Sequence, residues 1–222
     1  MSTFVLIPGA GGAAWYWSRV TPMLESAGHT AVAVDLPGDR DDAGLPEYAR
    51  LVVSAIGGRS DVVLVAQSLG GFTAPIVCEA AEIEELVLVN AMVPAPAETP
   101  GAWWANTGAA EARSVAAAVG GYGDFDLDTY FLHDVPPKIA AEGASHQRPE
   151  ADAVFASPCA FTSWPSIPIR VLAGRDDRFF PAEFQRRVAH ERLGVAADVL
   201  PGGHLIALAQ PELVTDYLLG AR

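Results

Sequence analysis

The chain has 222 residues, half of them apolar (50%) and 18% charged, so there is material for a sizeable core and disorder is excluded for most of its length. Asp and Glu outnumber Lys and Arg by 27 to 14, a net charge of -13, and no basic run exists to neutralise phosphates; nucleic acid and anionic membranes are not expected partners. Two cysteines, Cys78 and Cys159, without a CxxC or a Cys/His cluster, point to reduced thiols rather than a disulfide framework or a structural metal.

The N-terminus enters an apolar run at Thr3 with no basic n-region before it, and no stretch reaches the roughly 18 to 20 apolar residues of a membrane span. A cytoplasmic protein is the expectation. Short β-branched and apolar runs then recur at Thr3 to Ile7, Ala31 to Leu36, Val62 to Ala66, Leu86 to Asn90, Ile169 to Ala173 and Ala197 to Leu200. Most are apolar without alternation, the pattern of strands covered on both faces. Between them lie helical patterns at Trp15 to Ala27, Pro46 to Ile56, Leu69 to Ala81, Pro181 to Leu193 and Leu205 to Leu219. This alternation predicts one α/β domain over residues 1–222, three-layered, with a mostly parallel six-stranded sheet and helices on both faces. One interval breaks the rhythm: roughly 75 residues separate the fourth and fifth strands, far beyond an ordinary connection of about two to six. Residues 93–165 are therefore expected to form an inserted cap or lid. Its aromatic residues Trp103, Trp104, Tyr130, Phe131 and Trp164 are candidates for a substrate pocket, although side chains of this kind also fill cores.

The third strand runs into Gln67-Ser68-Leu69-Gly70-Gly71 and then a helical pattern. Ser68 thus stands at a strand-to-helix turn between small residues, Ala66 and Gly70, as in the G-x-S-x-G turn that presents a nucleophile. The first glycine is replaced by alanine, and an ordinary N-cap serine would stand at the same place. A serine nucleophile needs a base and a group that orients the base. The loop after the fifth strand supplies Asp176 and Asp177, and the loop after the last strand supplies His204. The order Ser, Asp, His matches one hydrolase arrangement and differs from others. The amide of Leu69, directly after the serine, is a candidate oxyanion donor. The glycine-rich loop after the first strand, Pro8 to Gly12, has neither a GxGxxG pattern nor a Walker lysine, which argues against a nucleotide site.

These motifs, with Asp35-Leu36-Pro37-Gly38, Trp15 and Trp17, Pro181-Ala182-Glu183-Phe184-Gln185 and Gly202-Gly203-His204, resemble the α/β-hydrolase superfamily. Within it the sequence is similar to the small capped esterases related to plant methyl-ester esterases and hydroxynitrile lyases. The resemblance implies the α/β-hydrolase fold, Ser68 as nucleophile, His204 as base, and Asp177 rather than Asp176 as the orienting acid, from the spacing between Gly174 and Pro181. It implies a second oxyanion donor at the Ala10 amide. Pro8 stands where the family usually has histidine, and proline has no N–H to give the loop.

The expected function is that of a serine esterase acting on small to medium uncharged carboxylic esters through an acyl-enzyme, with no cofactor and no metal, and with a homodimer as a possible assembly. Two other readings stand beside it. One is a hydroxynitrile-type carbon–carbon lyase, for which the resemblance would lead one to expect threonine at Gly9 and lysine at Leu205. The other is a non-catalytic small-molecule receptor on the same fold.

Overall fold

The computed structural model describes residues 1–220. Six strands, β1 (Thr3–Ile7), β2 (Thr30–Ala33), β3 (Val62–Gln67), β4 (Glu85–Val89), β5 (Ile169–Gly174) and β6 (Ala197–Leu200), form one sheet in the order β2-β1-β3-β4-β5-β6. Every pairing is parallel, so no antiparallel strand qualifies the expected "mostly parallel" sheet among the described residues. Successive side chains of a strand point to opposite faces. Val5, Ile7, Leu64, Ala66, Leu86 and Leu88 accordingly join one core layer, and Phe4, Leu6, Val63, Val65, Val87 and Val89 the other. That is why these strands read as unbroken apolar runs.

On the first face lie α2 (Leu45–Ile56), α3 (Gly70–Ala80) and α8 (Ala182–Leu193). The helix α2 buries Leu45, Tyr48, Ala49, Val52 and Ile56, spaced along one stripe, and ends where Gly57 takes a left-handed φ of 59°. The second face is covered by α1 (Thr21–Ser26), α9 (Ile206–Ala209) and α10 (Pro211–Leu218).

Two long helical patterns turn out to be divided, both at proline. The stretch from Trp15 to Ala27 becomes a 3₁₀ turn, Ala14–Trp17, followed by α1 with Pro22 in its first turn. The stretch from Leu205 to Leu219 splits into α9 and α10, with Pro211 opening the second. Proline has no N–H to donate to the turn before it but sits without cost at a helix start. The second strand is shorter than expected: after Val34 the chain leaves the sheet, and the Leu36 amide donates to Gly12 instead.

The interval between β4 and β5 carries α4 (Pro100–Thr107), α5 (Ala109–Gly120), a π-helical turn at Asp128–Leu132, α6 (Pro137–Gly143) and α7 (Asp152–Phe155). Parts of it thicken the core beside α8, through Trp103 against Phe180 and Phe184. Other parts stand over the carboxyl ends of the strands. No helix among the described residues is long and apolar enough to cross a membrane.

Candidate active site

The carboxyl ends of β3, β5 and β6 bring three distant side chains together. Ser68, directly after β3, has φ 50°, a left-handed conformation that a non-glycine residue holds only where the surroundings impose it. Here they do. The Ser68 amide donates to Val89, and its carbonyl accepts from Met92 and Gly71. The following helix is pressed so close that a Cβ at Gly71 would lie 2.0 Å from the Met92 carbonyl oxygen. The turn therefore closes only with small residues behind the serine.

Ser68 Oγ lies 3.0 Å from His204 Nε2, and His204 Nδ1 lies 2.8 Å from Asp177 Oδ2. A carboxylate only accepts, so Nδ1 carries the imidazole proton and Nε2 of the neutral ring accepts from the serine hydroxyl. All three residues are buried. The other Asp177 oxygen accepts from the amides of Phe179 and Phe180 at 2.8 and 2.9 Å, and Gln185 Nε2 donates to Oδ2 at 3.1 Å. The rings of Phe131, Phe179 and Phe180 stand around the imidazole with centroids 5.0 to 5.1 Å away. Asp176 faces outward: it pairs with Arg175 and accepts from the Gly202 amide, and the Arg175 hydrogen bond holds its carboxyl below the usual range.

Asn90, at the end of β4, was not singled out by any motif, yet it joins the two loops that bear Asp177 and His204. Its Nδ2 donates to the carbonyls of Gly203 and His204, and its Oδ1 accepts from the Gly174 amide and from Gln185. Asn90 also has a positive φ of 46°, and asparagine tolerates that region better than most residues. A strand-terminal asparagine was the available signal.

A cavity of about 350 Å³ opens onto Ser68 and His204. Pro8, Gly9, Ala10 and Gln67 line it beside the serine, and Trp15, Tyr16, Leu127, Phe131, Leu132, Ile139, Phe179, Leu205 and Leu208 supply its largely apolar remainder. His146, stacked on Trp15 at 5.1 Å, and Arg148 complete one side. Burial pushes the Tyr16 phenol up, so it stays protonated. Among the described residues neither the Ala10 nor the Leu69 amide has a protein acceptor. Both are thus left to bind something else.

Of the five aromatic residues expected to line a pocket, only Phe131 borders this cavity. Trp103 is wholly buried and donates through Nε1 to the Val93 carbonyl. Trp104 packs on Phe179 and Phe180, Tyr130 on Tyr122 and Phe125, and Trp164 on Phe161 while donating to Pro94. Trp103, Trp104 and Tyr130 back the aromatic cluster behind the site rather than the space itself, and Trp164 lies apart from it, beside Phe161. Trp15 and Phe179, which do border the cavity, lie outside residues 93–165. Cys78 and Cys159 take no part, and burial pushes both thiols up to about 12.

Comparison with known proteins supplies four further observations. Norfluorocurarine synthase 1 of Strychnos sp is 38% identical over 86 residues, 34% of this chain and 32% of that protein. Methylesterase 9 of Arabidopsis thaliana is 31% identical over 158 residues, 66% of this chain and 59% of that protein. The matched stretches thus span less than two thirds of these relatives. The crystal structure of polyneuridine aldehyde esterase superposes with a TM-score of 0.79 at 21% identity, covering 99% of this chain and 98% of that one, a likeness of fold. The pattern of the Alpha/beta hydrolase family runs through residues 4–217. From β1 to α10 the sequence follows that pattern, and the chain belongs to the Alpha/beta hydrolase family.

Proposed function

We propose that the protein is a serine esterase that cleaves small to medium uncharged carboxylic esters through an acyl-enzyme. The observation that carries this reading is the buried relay from Ser68 Oγ to His204 Nε2 at 3.0 Å and from Nδ1 to Asp177 at 2.8 Å. Ser68 Oγ attacks the ester carbonyl carbon while its proton passes to Nε2. Asp177 fixes the tautomer and stabilises the imidazolium. The carbonyl oxygen becomes an oxyanion, for which the Ala10 and Leu69 amides are the donors in reach of the serine turn. Collapse expels the alcohol with the proton from His204, and water, activated by the same ring, releases the acid.

Residues 93–165 serve in this reading as the cap, lending Leu127, Phe131, Leu132, Ile139 and His146 to the wall of the cavity. An apolar space of this size in a chain of net charge -13 favours uncharged substrates over anions. The esterase names of a relative and of a structural neighbour point the same way. A relative named alpha-hydroxynitrile lyase, from Arabidopsis thaliana, is 31% identical over 109 residues, but the threonine expected of that type is replaced by Gly9, where a Cβ would lie 2.3 Å from Gln67 Oε1 and 2.9 Å from Ser68 Cβ, so the geometry favours the esterase.

Intact-mass detection of a fluorophosphonate adduct tests the proposal. The wild type is expected to gain one adduct and Ser68→Ala none, with acid released from aryl and methyl esters by the wild type alone. An unlabelled wild type under conditions that label a known serine esterase would overturn it.

A further inference from the structure

The loop that ends in the Ala10 amide has little of its own to hold it. Pro8 lacks an N–H, and the turn closes on a single internal bond, Gly12 N–H to the Gly9 carbonyl at 3.0 Å. The two peptides that flank the Gly11 Cα are gripped from outside. Gly11 N–H donates to Glu150 Oε2 at 2.6 Å, and the Gly11 carbonyl accepts from Arg148 Nε at 3.0 Å.

Both side chains are braced in turn. The two terminal nitrogens of Arg148 donate to the two carboxylate oxygens of Asp35 at 3.0 and 2.9 Å. Glu150 Oε1 accepts from the Tyr48 hydroxyl on α2 at 2.6 Å. The Ala151 amide donates to the Gly38 carbonyl at 2.7 Å. The Gly11 nitrogen shares a rigid peptide plane with the Cα of Ala10. Fixing that nitrogen fixes the far end of residue 10, whose near end continues from β1 through Pro8. Glu150 also takes up the Gly11 N–H, which leaves the Ala10 N–H as the donor without a protein partner.

Resting on the esterase reading above, we propose that Glu150 and Arg148 are positioning residues for oxyanion stabilisation: from residues 93–165 they clamp the N–H and the carbonyl of Gly11 and thereby aim the Ala10 amide at the carbonyl oxygen of an ester attacked by Ser68. Glu150 does not border the cavity and acts through the backbone of Gly11. A clamp of this kind changes the stability of the transition state more than the binding of substrate, because an oxyanion donor bonds most strongly after charge has developed.

The experiment compares the full-length wild type with Glu150→Ala, Glu150→Gln and Glu150→Asp. Hydrolysis of p-nitrophenyl acetate gives kcat and KM. Inhibition by a phenyl trifluoromethyl ketone, which accepts Ser68 Oγ at its carbonyl carbon and places an oxyanion opposite the donors, reports the same interaction in a stable adduct. Exchange of the Gly11 amide proton, followed by NMR, reports the clamp without any turnover. Glu150→Ala is expected to lower kcat at least tenfold with KM within twofold, to weaken the ketone by a matching factor, and to speed Gly11 exchange at least tenfold. Glutamine can accept from Gly11 with its oxygen and donate to Tyr48 with its nitrogen, so Glu150→Gln should recover kcat to within threefold. If Glu150→Ala does not fold, Glu150→Asp, whose carboxylate is withdrawn by one methylene, should shift all three readouts in the same direction.

An active wild type whose Glu150→Ala variant keeps kcat within twofold, loses activity only through KM, or leaves the ketone's affinity and Gly11 exchange unchanged would overturn the clamp alone. A wild type that neither hydrolyses the ester nor takes the fluorophosphonate overturns the esterase reading and the proposal with it.

Discussion

Asn90 Nδ2 donates to the carbonyl of His204 at 3.1 Å across a separation of 114 residues. The same amide group reaches Gly203, Gly174 and Gln185, so one side chain at the end of β4 sets the spacing between the aspartate loop and the histidine loop. Asn90→Ala removes the side-chain partner of the buried Gly203 carbonyl and Gly174 amide, while the His204 carbonyl keeps Gln67 and Gln185 keeps Asp177 and Phe180. Each such group costs about 1 to 3 kcal/mol when unsatisfied, partly relieved by relaxation. Urea unfolding should show a loss of about 3 kcal/mol, and ester turnover in the fraction that remains folded should fall.

Asp177 and Asp176 are adjacent in sequence and face opposite ways. In Asp177→Asn the amide oxygen remains the best acceptor for the Phe179 and Phe180 amides, which turns the NH₂ group toward His204 Nδ1. The ring is then driven to the wrong tautomer, and a loss of about 10⁴ in kcat is expected. Ser68→Ala should cost more, about 10⁶. Asp176→Asn touches only Arg175 and the Gly202 amide and should leave kcat within a few-fold. Steady-state kinetics on one aryl ester measures all three.

Trp103 and Phe131 were alike as sequence and differ in place. Trp103→Ala empties a wholly buried site between Phe180 and Phe184 and leaves the Val93 carbonyl without its indole donor, so it should lower stability by about 3 to 5 kcal/mol. Phe131→Ala enlarges the cavity beside His204. Its effect should appear as an altered preference among acyl or alcohol chain lengths, with a smaller fall in unfolding free energy. Chemical denaturation and a substrate panel separate the two outcomes.

Glu98, in the loop after β4, is buried with Arg192 of α8, which donates to it through both terminal nitrogens. Burial alone would raise the Glu98 carboxyl, but hydrogen bonds from Arg192, Asn106 and the Ala95 amide outweigh it and hold the group below its ordinary 4.5. A folded value below the unfolded one contributes stability that is complete above about 4.5 and lost as pH falls through the folded value. Glu98→Ala should therefore cost about 3 kcal/mol at pH 7, because Arg192 is left unpaired, and unfolding curves of the variant should respond less to acid than those of the wild type.

The sheet was legible because strands buried on both faces, such as β1 and β3, leave continuous apolar runs; the partly exposed edge strand β6 also falls where its residues alone place it. Ser68, Asp177 and His204 were legible because each follows a strand at the same end of a parallel sheet, so topology alone brings them near one another. The cavity wall was not. Inside the inserted interval, Trp103 and Phe131 sit in equally apolar surroundings, and which one faces the space depends on how α4 and the turn at Asp128–Leu132 settle against α8 and Phe179. Prolines 22 and 211 were visible as letters, but their effect, dividing one amphipathic pattern into two elements, was masked by apolar spacing that persists across the break.

Arg148 borders the cavity and also holds the Gly11 carbonyl. On the proposed reading, selectivity and rate share a hinge-pin: exchanging this stretch for that of another family member is expected to retune which molecules enter and, in the same stroke, to disturb the backbone beside the serine. Because Asp35 and Tyr48 brace Arg148 and Glu150, a transplanted stretch should carry those two partners with it.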